Sequence, residues 1–427
     1  MKKFIRSISL LFALSINAQV ALTDANFIDA INECLTTNPI DGKCTNSQYG
    51  EMPDWDVSNV TNMFSAFDGR TEFNANISNW NVSNVNDMGG MFYETSFNQD
   101  ISNWNVGNVT YMNGMFSKSS FNQDISNWNV SNVIGMIQMF YNSPFNQDIS
   151  NWDVSSVKYM GGMFEQSSFN QDIGGWDVSN VINMVTMFRD SPFNQDIGDW
   201  DVSSTENMTA MFYETTFNQD IGGWDVSNVW NMDYVFAFSS FNQDISNWNI
   251  SNVTRMIGMF ARSSFNQDIG GWDVSNVTEL ESVFSNSAMS VSNYDSVLNN
   301  WSSLNLNSNI TFGAVGLNYC NGEDGRNKLI NQFNWAISDS GKDCASLSID
   351  VNAIDDLNIY PNPFSNFLFI KGVNKIKSYK IYTISGVLLD SGNFKKKIDI
   401  KRLSSGTYFI EINTIEGKRK VSKIIKK

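Results

Sequence analysis

The residues best suited to chemistry in this chain are aspartates that recur at regular intervals. A first column, repeated every 24 residues, contains Asp100, Asp124, Asp148, Asp172, Asp196, Asp220, Asp244 and Asp268. A second column contains Asp56, Asp153, Asp177, Asp201, Asp225 and Asp273, with asparagine at its other positions. Paired carboxylates could serve as the acid and base of glycoside cleavage, and stacked carboxylates could bind calcium. Because a catalytic site is normally a single departure from its scaffold, the repetition favours a structural role in which each aspartate caps a turn.

Other catalytic chemistry has little support in the sequence. The chain contains no histidine, which excludes Ser-His-Asp and Cys-His catalysis and every histidine-based metal site. It also lacks a phosphate-binding glycine loop and a Cys-x-x-Cys pair. The glutamates that break the repeat pattern form no recognisable acid pair: Glu165, Glu206, Glu279 and Glu281. We therefore predict that the chain is not an enzyme and has no cofactor, with calcium on the first aspartate column as an alternative.

The aspartates belong to a sequence repeat that is marked by tryptophan. Tryptophan occupies positions 55, 80, 104, 128, 152, 176, 200, 224, 248 and 272, so the step is 25 residues once and 24 residues eight times. Each unit follows the pattern F-N-Q-D-I-[SG]-x-W-[DN]-V-S-[NS]-V-x-x-M-x-x-M-F, and a short variable segment comes next. Because so short a unit cannot bury its apolar face alone, we expect neighbouring units to stack into a solenoid.

Spacings within the unit predict its local structure. Val85, Met88, Met91 and Phe92 fall at i, i+3, i+6 and i+7, which fits one face of a short helix or 3₁₀ turn. The F-N-Q-D-I-S-x-W stretch, such as residues 97–104, is bounded by turn-forming residues and is predicted to contain the strand. The asparagines of F-N-Q-D are predicted to form an internal hydrogen-bonded ladder, and the repeated methionines are predicted to fill the core.

Segments without the repeat flank it on both sides. We predict an N-terminal cap over residues 24–50, a ten-unit repeat solenoid over 51–284 and a C-terminal cap over 285–345, since a solenoid needs end units that shield its open core. The four cysteines lie in these cap regions. We expect disulfides between Cys34 and Cys44 and between Cys320 and Cys344, although three pairings are formally open.

The N-terminus and the charge distribution indicate export. Residues 1–18 combine Lys2, Lys3 and Arg6 with a short apolar run, which is typical of a secretory signal peptide. No other stretch is long and apolar enough to insert into a bilayer. Residues 7–345 carry 10 basic and 37 acidic side chains, whereas residues 346–427 carry 15 basic and 7 acidic ones. So acidic a body argues against binding to nucleic acid or to anionic membranes.

The repeat unit, with its W-D-V-S-N-V-x-x-M-x-x-M-F core and F-N-Q-D-I-S-x-W lead-in, resembles the bacterial surface leucine-rich repeats of the BspA type. The resemblance covers about residues 24–345. It implies a leucine-rich-repeat-like solenoid at the cell surface, in a family linked to adhesion to host proteins, other cells or matrix. The ligand does not follow from the resemblance, so the expected partner is an extracellular protein or a glycan.

The C-terminal region changes to short alternating strands, predicted at residues 366–371, 378–390, 397–400 and 408–413. They indicate a small all-β sandwich within residues 353–427. Tyr360, Pro361, Asn362 and Pro363, followed by the Leu403–Tyr408 segment and a basic end, resemble the C-terminal sorting domain of the type IX secretion system of Bacteroidetes. That resemblance implies export by the type IX machinery to the outside of the outer membrane. A small independent binding sandwich is the alternative.

Exposed positions that vary between units are the predicted binding surface: Tyr111, Lys118, Tyr141, Lys158, Tyr159, Arg189, Tyr213, Trp230, Tyr234, Arg255 and Arg262. Exposed aromatic and arginine side chains are typical anchors of interfaces. The main candidates are therefore Tyr111, Tyr141, Tyr159, Arg189, Tyr213, Trp230 and Arg255. The competing hypotheses are a polysaccharide-degrading solenoid that uses paired carboxylates and a purely structural surface-layer component.

Overall fold

A computed structural model describes the chain over residues 20–344, 358–371, 376–383, 387–393, 397–414 and 419–427. The chain forms two compact units, one ending at Lys342 and the other beginning at Asp343. The predicted signal peptide lies outside the described residues, and so do residues 353–357 at the start of the predicted sorting domain. Each of the two has its own hydrophobic core.

In the N-terminal unit, the α-helices and strands lie outside the repeats. Helix α1 spans Phe27–Thr37, a 3₁₀ turn spans Met52–Asp54, helix α2 spans Val291–Trp301 and helix α3 spans Glu323–Phe333. Strands β1 (Thr311–Gly313) and β2 (Ala336–Ser338) pair in parallel. Each α-helix has 11 residues, and no helix in the described part of the chain has the length and apolarity that crossing a membrane requires.

The repeats are joined by a continuous line of parallel bridges. One residue per unit pairs with its counterpart in the next unit, from Asn62↔Asp87 at the first junction to Arg255↔Glu279 at the last. Further backbone bonds run the same way, as from the Met88 nitrogen to the Tyr111 carbonyl at 3.0 Å. Successive units therefore stack in parallel register, and each supplies backbone partners that its neighbour lacks.

The predicted helical turn within each unit is wrong. Gly90 and Glu94 have φ of 61° and 54°, and two left-handed residues so close together are incompatible with a right-handed helix. The chain instead forms consecutive turns, with the Met91 nitrogen donating to the Met88 carbonyl at 3.2 Å. Val85, Met88, Met91 and Phe92 are nevertheless fully buried. We call the positions of Gly90 and Glu94 the first and second left-handed positions, because both recur in every unit.

The predicted strand over residues 97–104 is also wrong, since the bridges flanking this stretch lie at Asp87 and Tyr111. Hydrogen bonds from side chains connect this segment to the neighbouring unit instead. The Asn98 Oδ1 atom accepts the backbone N–H of Asn122 at 2.9 Å, and the same bond recurs along the F-N-Q-D asparagines until Ser290 donates to Asn266 at 2.7 Å. These bonds confirm the predicted asparagine ladder.

Aromatic rings form continuous columns in the core of the repeats. The ring centroids of Phe92 and Phe116 lie 5.6 Å apart in a stacked arrangement, and Phe92 also stacks at 4.0 Å on Phe97, the first residue of the next unit. The indole N–H of Trp104 donates to the Ile77 carbonyl of the preceding unit at 3.2 Å. The same tryptophan bond recurs as far as Trp272. The repeated methionines are buried in the same core, as predicted.

The end segments cover the two ends of the aromatic columns. Helix α1 packs Phe27 against Trp80 edge to face, with centroids 5.8 Å apart, and the predicted Cys34–Cys44 disulfide joins α1 to the following loop. At the other end, the Trp301 indole N–H donates to the Ile269 carbonyl and so continues the tryptophan bonds. The two remaining cysteines are not free either, and their Cys320–Cys344 pairing stays a prediction.

The C-terminal unit contains two antiparallel sheets that share one core. Strands β3 (Asn358–Tyr360), β4 (Phe367–Lys371) and β7 (Lys397–Asp399) form the first sheet, in the order β3-β4-β7. Strands β5 (Ile376–Tyr382), β6 (Leu388–Asn393), β8 (Gly406–Thr414) and β9 (Arg419–Lys426) form the second, in the order β6-β5-β8-β9. The predicted single strand at 378–390 is therefore parts of two strands. Leu368, Ile381, Ile410 and Ile424 are fully buried in the shared core.

Candidate binding surface

The candidate surface residues lie along the line of parallel bridges, in one short segment of each unit. Tyr111, Tyr159 and Arg255 are bridging residues themselves, and Trp230 directly precedes one. The exposed fractions of Tyr111, Tyr159 and Trp230 are 43%, 37% and 43%. The remaining main candidates are half-buried: Tyr141, Arg189, Tyr213 and Arg255. Because units stack in register, side chains of neighbouring units meet in this segment.

Two of the arginine candidates have carboxylate partners. The Arg255 Nε atom donates to Asp233 at 2.9 Å, and the Arg189 Nη1 atom donates to Glu165 at 3.1 Å. Asp233 and Glu165 are buried, so loss of either arginine would leave a buried carboxylate without its counter-charge. Both arginines therefore stabilise the fold. Glu165 is thus paired with an arginine and not with a second acid.

Three aromatic rings and two guanidinium groups come together on this surface, and we call them the aromatic patch: Arg189, Tyr213, Tyr234, Phe238 and Arg262. The Tyr213 ring centroid lies 5.3 Å from that of Phe238 and 6.5 Å from that of Tyr234. The guanidinium of Arg189 lies 5.1 Å from the Tyr213 centroid, and that of Arg262 lies 5.3 Å from the Phe238 centroid. At such distances a cation is attracted to the ring face. Tyr234 and Phe238 both stay 40% exposed.

The backbone under the aromatic patch is strained. Tyr234 and Phe238 occupy both left-handed positions of their unit, with φ of 58° and 57°. A bulky residue in this conformation costs about 1–3 kcal/mol, and the two exposed rings do not recover that free energy through burial. A Cβ atom on Gly258, at the first left-handed position of the next unit, would lie 2.5 Å from the Tyr234 ring. The neighbouring unit therefore leaves room for the ring.

Phe238 is the member of the aromatic patch that the sequence analysis missed. It occupies the second left-handed position, which holds glycine or a polar residue in every other unit, as at Gly69, Glu94 and Lys118. The signal that could have identified it is this single aromatic residue in an otherwise polar column. The same column supplies Lys118 and Arg262 to the predicted binding surface, so its exposure was predicted. Residue types do not show the left-handed backbone that Phe238 adopts there.

The aspartate side chains of both columns accept hydrogen bonds from the backbone of the turns in which they lie. The Asp100 Oδ1 atom accepts the Ser102 backbone N–H at 2.9 Å, and the same bond recurs as far as Asp268. In the second column, Asp201 accepts the Ser203 backbone N–H at 3.0 Å. Hydrogen bonds from Ser102 and Ser203 lower the pKa of Asp100 and of Asp201. These bonds confirm the turn-capping role. Among the described residues, no group of three or more acidic or cysteine side chains is arranged to hold a metal ion.

The predicted sorting motif at residues 360–363 is attached to the last strand of the chain. The Asn362 side-chain oxygen accepts the Ile425 backbone N–H at 2.8 Å, and its amide nitrogen donates to the Lys423 carbonyl at 2.9 Å. The Lys426 ammonium is buried and donates to the Ile400 carbonyl at 3.1 Å. The motif and the C-terminal residues are thus held close together in one part of the fold.

The stacked repeats and the C-terminal β unit define a repeat protein that carries a secretion domain. Residues 358–427 match the model of the secretion system C-terminal sorting domain. Residues 41–144, 118–220 and 214–312 each match the model described as Mycoplasma protein of unknown function, DUF285. Because these three tandem matches span more than half of the chain, the protein belongs to that family and has a repeat architecture. No match is found among the curated proteins or among the solved structures.

The sorting domain also indicates the route and the destination of the chain. Its presence supports secretion through the type IX system, whose machinery is therefore a partner of the C-terminal unit. A type IX sorting domain implies a secreted or cell-surface protein in a Bacteroidetes-type bacterium.

Proposed function

We propose that this chain is a BspA-type adhesion protein whose body is a leucine-rich-repeat-like solenoid without catalytic activity. Support for the solenoid comes from the unbroken line of parallel bridges and from the aromatic columns that neighbouring units share. Support for a non-catalytic role comes from the carboxylates, since the repeated aspartates cap turns and Glu165 pairs with Arg189. The proposed ligand is an extracellular protein or glycan.

The aromatic patch is the observation that carries the binding role. Its rings are exposed on a strained backbone, and neither burial nor a better backbone conformation explains why Tyr234 and Phe238 stand where other units place small or polar residues. Tyrosine and arginine are enriched among the residues that dominate binding energy. A ring offers apolar contact area, and a guanidinium offers several hydrogen-bond donors in a fixed plane. Contact with a ligand would offset the strain.

The test is the double variant Tyr234→Gly/Phe238→Asn in the protein without residues 1–18. These replacements occur naturally at the same positions of other units, at Gly114 and Asn142. We expect the melting temperature to stay equal or to rise, because about 1 kcal/mol of strain per residue is relieved. Binding to arrayed matrix proteins and uncharged glycans should fall at least about tenfold, which corresponds to roughly 1.4 kcal/mol.

The matched control is Phe64→Thr. Phe64 is 58% exposed and lies in the first unit, outside the aromatic patch, and threonine stands at the equivalent Thr209. This variant should bind like the unmodified protein. The adhesion proposal is wrong if the unmodified protein binds no arrayed protein or glycan, a result that would favour the structural surface-layer role. It is also wrong if the double variant binds as tightly as the control.

A further inference from the structure

A second asparagine column, separate from the ladder of F-N-Q-D, lies on the surface of the repeats. Its side-chain amides donate to backbone carbonyls one unit earlier, as from Asn132 to Gly107 at 2.7 Å and from Asn180 to Ser155 at 2.8 Å. The column is interrupted at Ser156, whose side chain is too short to make this bond. As a result, no donor within the described residues reaches the Ser131 carbonyl.

A groove of about 660 Å³ opens at this interruption and crosses four units. We call it the polar groove; its lining includes Asn108, Asn132, Ser156, Lys158 and Asn180. The amide nitrogens of the three asparagines are bonded to backbone carbonyls. Their side-chain oxygens point away from those bonds and accept none from the residues that the structure describes. The groove therefore presents a row of unused acceptors beside a hydroxyl group and an ammonium group.

The ammonium group of Lys158 is uncommitted. Lys158 is exposed, and its side chain makes no ion pair, hydrogen bond or ring contact with any described residue. The five other basic side chains between residues 51 and 284 all have such a partner: Arg70 with Asn32, Lys118 with Glu94, Arg189 with Glu165, Arg255 with Asp233 and Arg262 with Phe238. The groove therefore combines one unpaired cation with a row of hydrogen-bond acceptors, which is complementary to a ligand that carries one negative charge and several donors.

We propose that the polar groove binds an oligosaccharide that carries a single carboxylate. Its hydroxyl groups donate to the asparagine side-chain oxygens and to the Ser131 carbonyl, and its carboxylate pairs with Lys158. One ammonium group neutralises one charge, and the acidic unit around it repels a polyanion. A protein ligand is disfavoured, because protein interfaces are anchored mostly by large apolar or aromatic side chains that need apolar contacts. Among the described residues that line the groove, Ile134 is the one large apolar side chain. The proposal assigns a glycan to the surface role described above, at a site separate from the aromatic patch.

The experiment uses the full-length protein without residues 1–18 and isothermal titration with sialyllactose. Lactose serves as the neutral probe and a heparin oligosaccharide as the polyanionic probe. The Ser156→Asn variant restores the asparagine of the column and fills the groove, so affinity for sialyllactose should fall at least about tenfold. Ser204→Asn is the matched control, because it makes the same substitution at the other interruption of the column, outside the groove lining. This control should keep full affinity.

Lys158→Thr tests the charge, since threonine stands at the equivalent positions Thr110 and Thr254. We expect this variant to bind sialyllactose no better than lactose and to lose the salt dependence of binding.

The proposal is overturned if Ser156→Asn binds like the control or if lactose or heparin binds as tightly as sialyllactose. It is also overturned if neither sialyllactose nor a glucuronate-terminated tetrasaccharide binds. Tyr234→Gly/Phe238→Asn should keep its affinity for sialyllactose; its loss would move the ligand to the aromatic patch and overturn the assignment to the groove.

Discussion

At the scale of single residues, side chains supply the hydrogen bonds that a continuous strand would provide in a sheet. Each unit has one bridging residue per neighbour, and asparagine and tryptophan side chains make further bonds between units, as from Trp128 to Ile101 at 3.2 Å. These bonds satisfy backbone groups that stacking removes from water. The side-chain oxygen of each ladder asparagine accepts bonds from the next unit, as at Asn146. Its backbone N–H remains in any non-proline variant, so one substitution removes bonds at a single junction.

Asn146→Ala should lower the stability of the repeats. Asn146 Oδ1 accepts the Asn170 backbone N–H at 2.9 Å and the Gln171 side-chain amide at 3.1 Å. Leaving half-buried donors unpaired costs about 1–3 kcal/mol, and we expect a loss of that size in the free energy of unfolding measured with urea.

Asn151→Ala in the same unit is the control, because Asn151 is exposed and its side chain makes no hydrogen bond with the described residues. This variant should change the free energy of unfolding by less than about 0.5 kcal/mol. Equal losses in both variants would contradict a structural ladder.

At the scale of the element, the sequence predicted which side chains are buried but not the backbone that buries them. The apolar spacing of Val85, Met88 and Phe92 fits a helical face and consecutive turns equally well. Glycine did not mark the left-handed positions, because residues such as Glu94 occupy many of them. The bridging positions carry unrelated side chains and so show no strand alternation. In the C-terminal unit, by contrast, alternation is regular, and the strand predicted at 408–413 is observed at Gly406–Thr414.

The binding surface was only partly predicted, because residue types do not reveal the backbone conformation. Tyr213, Tyr234, Arg189 and Arg262 were identified from their variability between units, which requires no knowledge of the backbone. That they meet in one patch depends on the register between units and on the left-handed positions, and neither can be derived from residue types alone. Phe238 was missed because its importance comes from the conformation of its backbone.

Two adjacent glycines provide a test of how closely units approach at their turns. A Cβ atom on Gly222 would lie 2.5 Å from the Asp244 carbonyl oxygen of the next unit, whereas one on Gly223 would meet nothing within 4 Å. We therefore expect Gly222→Ala to lower the free energy of unfolding by about 1–3 kcal/mol through overpacking. Gly223→Ala should leave it unchanged or raise it by up to about 1 kcal/mol. Urea unfolding of both variants checks this order, and the reverse order would refute the close approach.

At the scale of the whole molecule, the repeats tolerate many acidic side chains because each carboxylate of the columns has a local donor. Serine side-chain hydrogen bonds lower the pKa of Asp153, Asp201 and Asp225, and the charge of Asp201 only partly offsets this effect at Asp225. Attraction to the serine donors therefore outweighs repulsion between neighbouring aspartates. The acidic surface, which is predicted to disfavour nucleic acid as a partner, is thus compatible with a stable fold.

Acid should remove this contribution to stability. A carboxylate whose pKa is lower in the folded state stabilises the fold above its unfolded pKa of about 4, and the contribution disappears as the pH falls through the folded value. The triple variant Asp153→Asn/Asp201→Asn/Asp225→Asn keeps an acceptor but cannot titrate. We compare the melting temperatures of the unmodified protein and of this variant at each pH. The difference, unmodified minus variant, should decrease as the pH is lowered from 7 to about 3. Asp199→Asn, which lies outside both columns, is the control. A difference that does not depend on pH would refute the downward pKa shifts.

The uniform bonds between units also affect how the gene can change. Each junction uses the same asparagine, tryptophan and backbone partners, as between Asn122 and Asn146 or between Asn194 and Asn218. Recombination that inserts or deletes 24 codons therefore preserves these shared bonds at the new junction. Surface pairs between units, such as Glu165 with Arg189 and Tyr234 with Gly258, restrict which units can be neighbours. The core is inherited intact, while the number of units can vary, and the order of their surface residues can vary within that restriction. Copying one unit and altering its exposed positions is thus sufficient to produce a new binding surface without redesigning the fold.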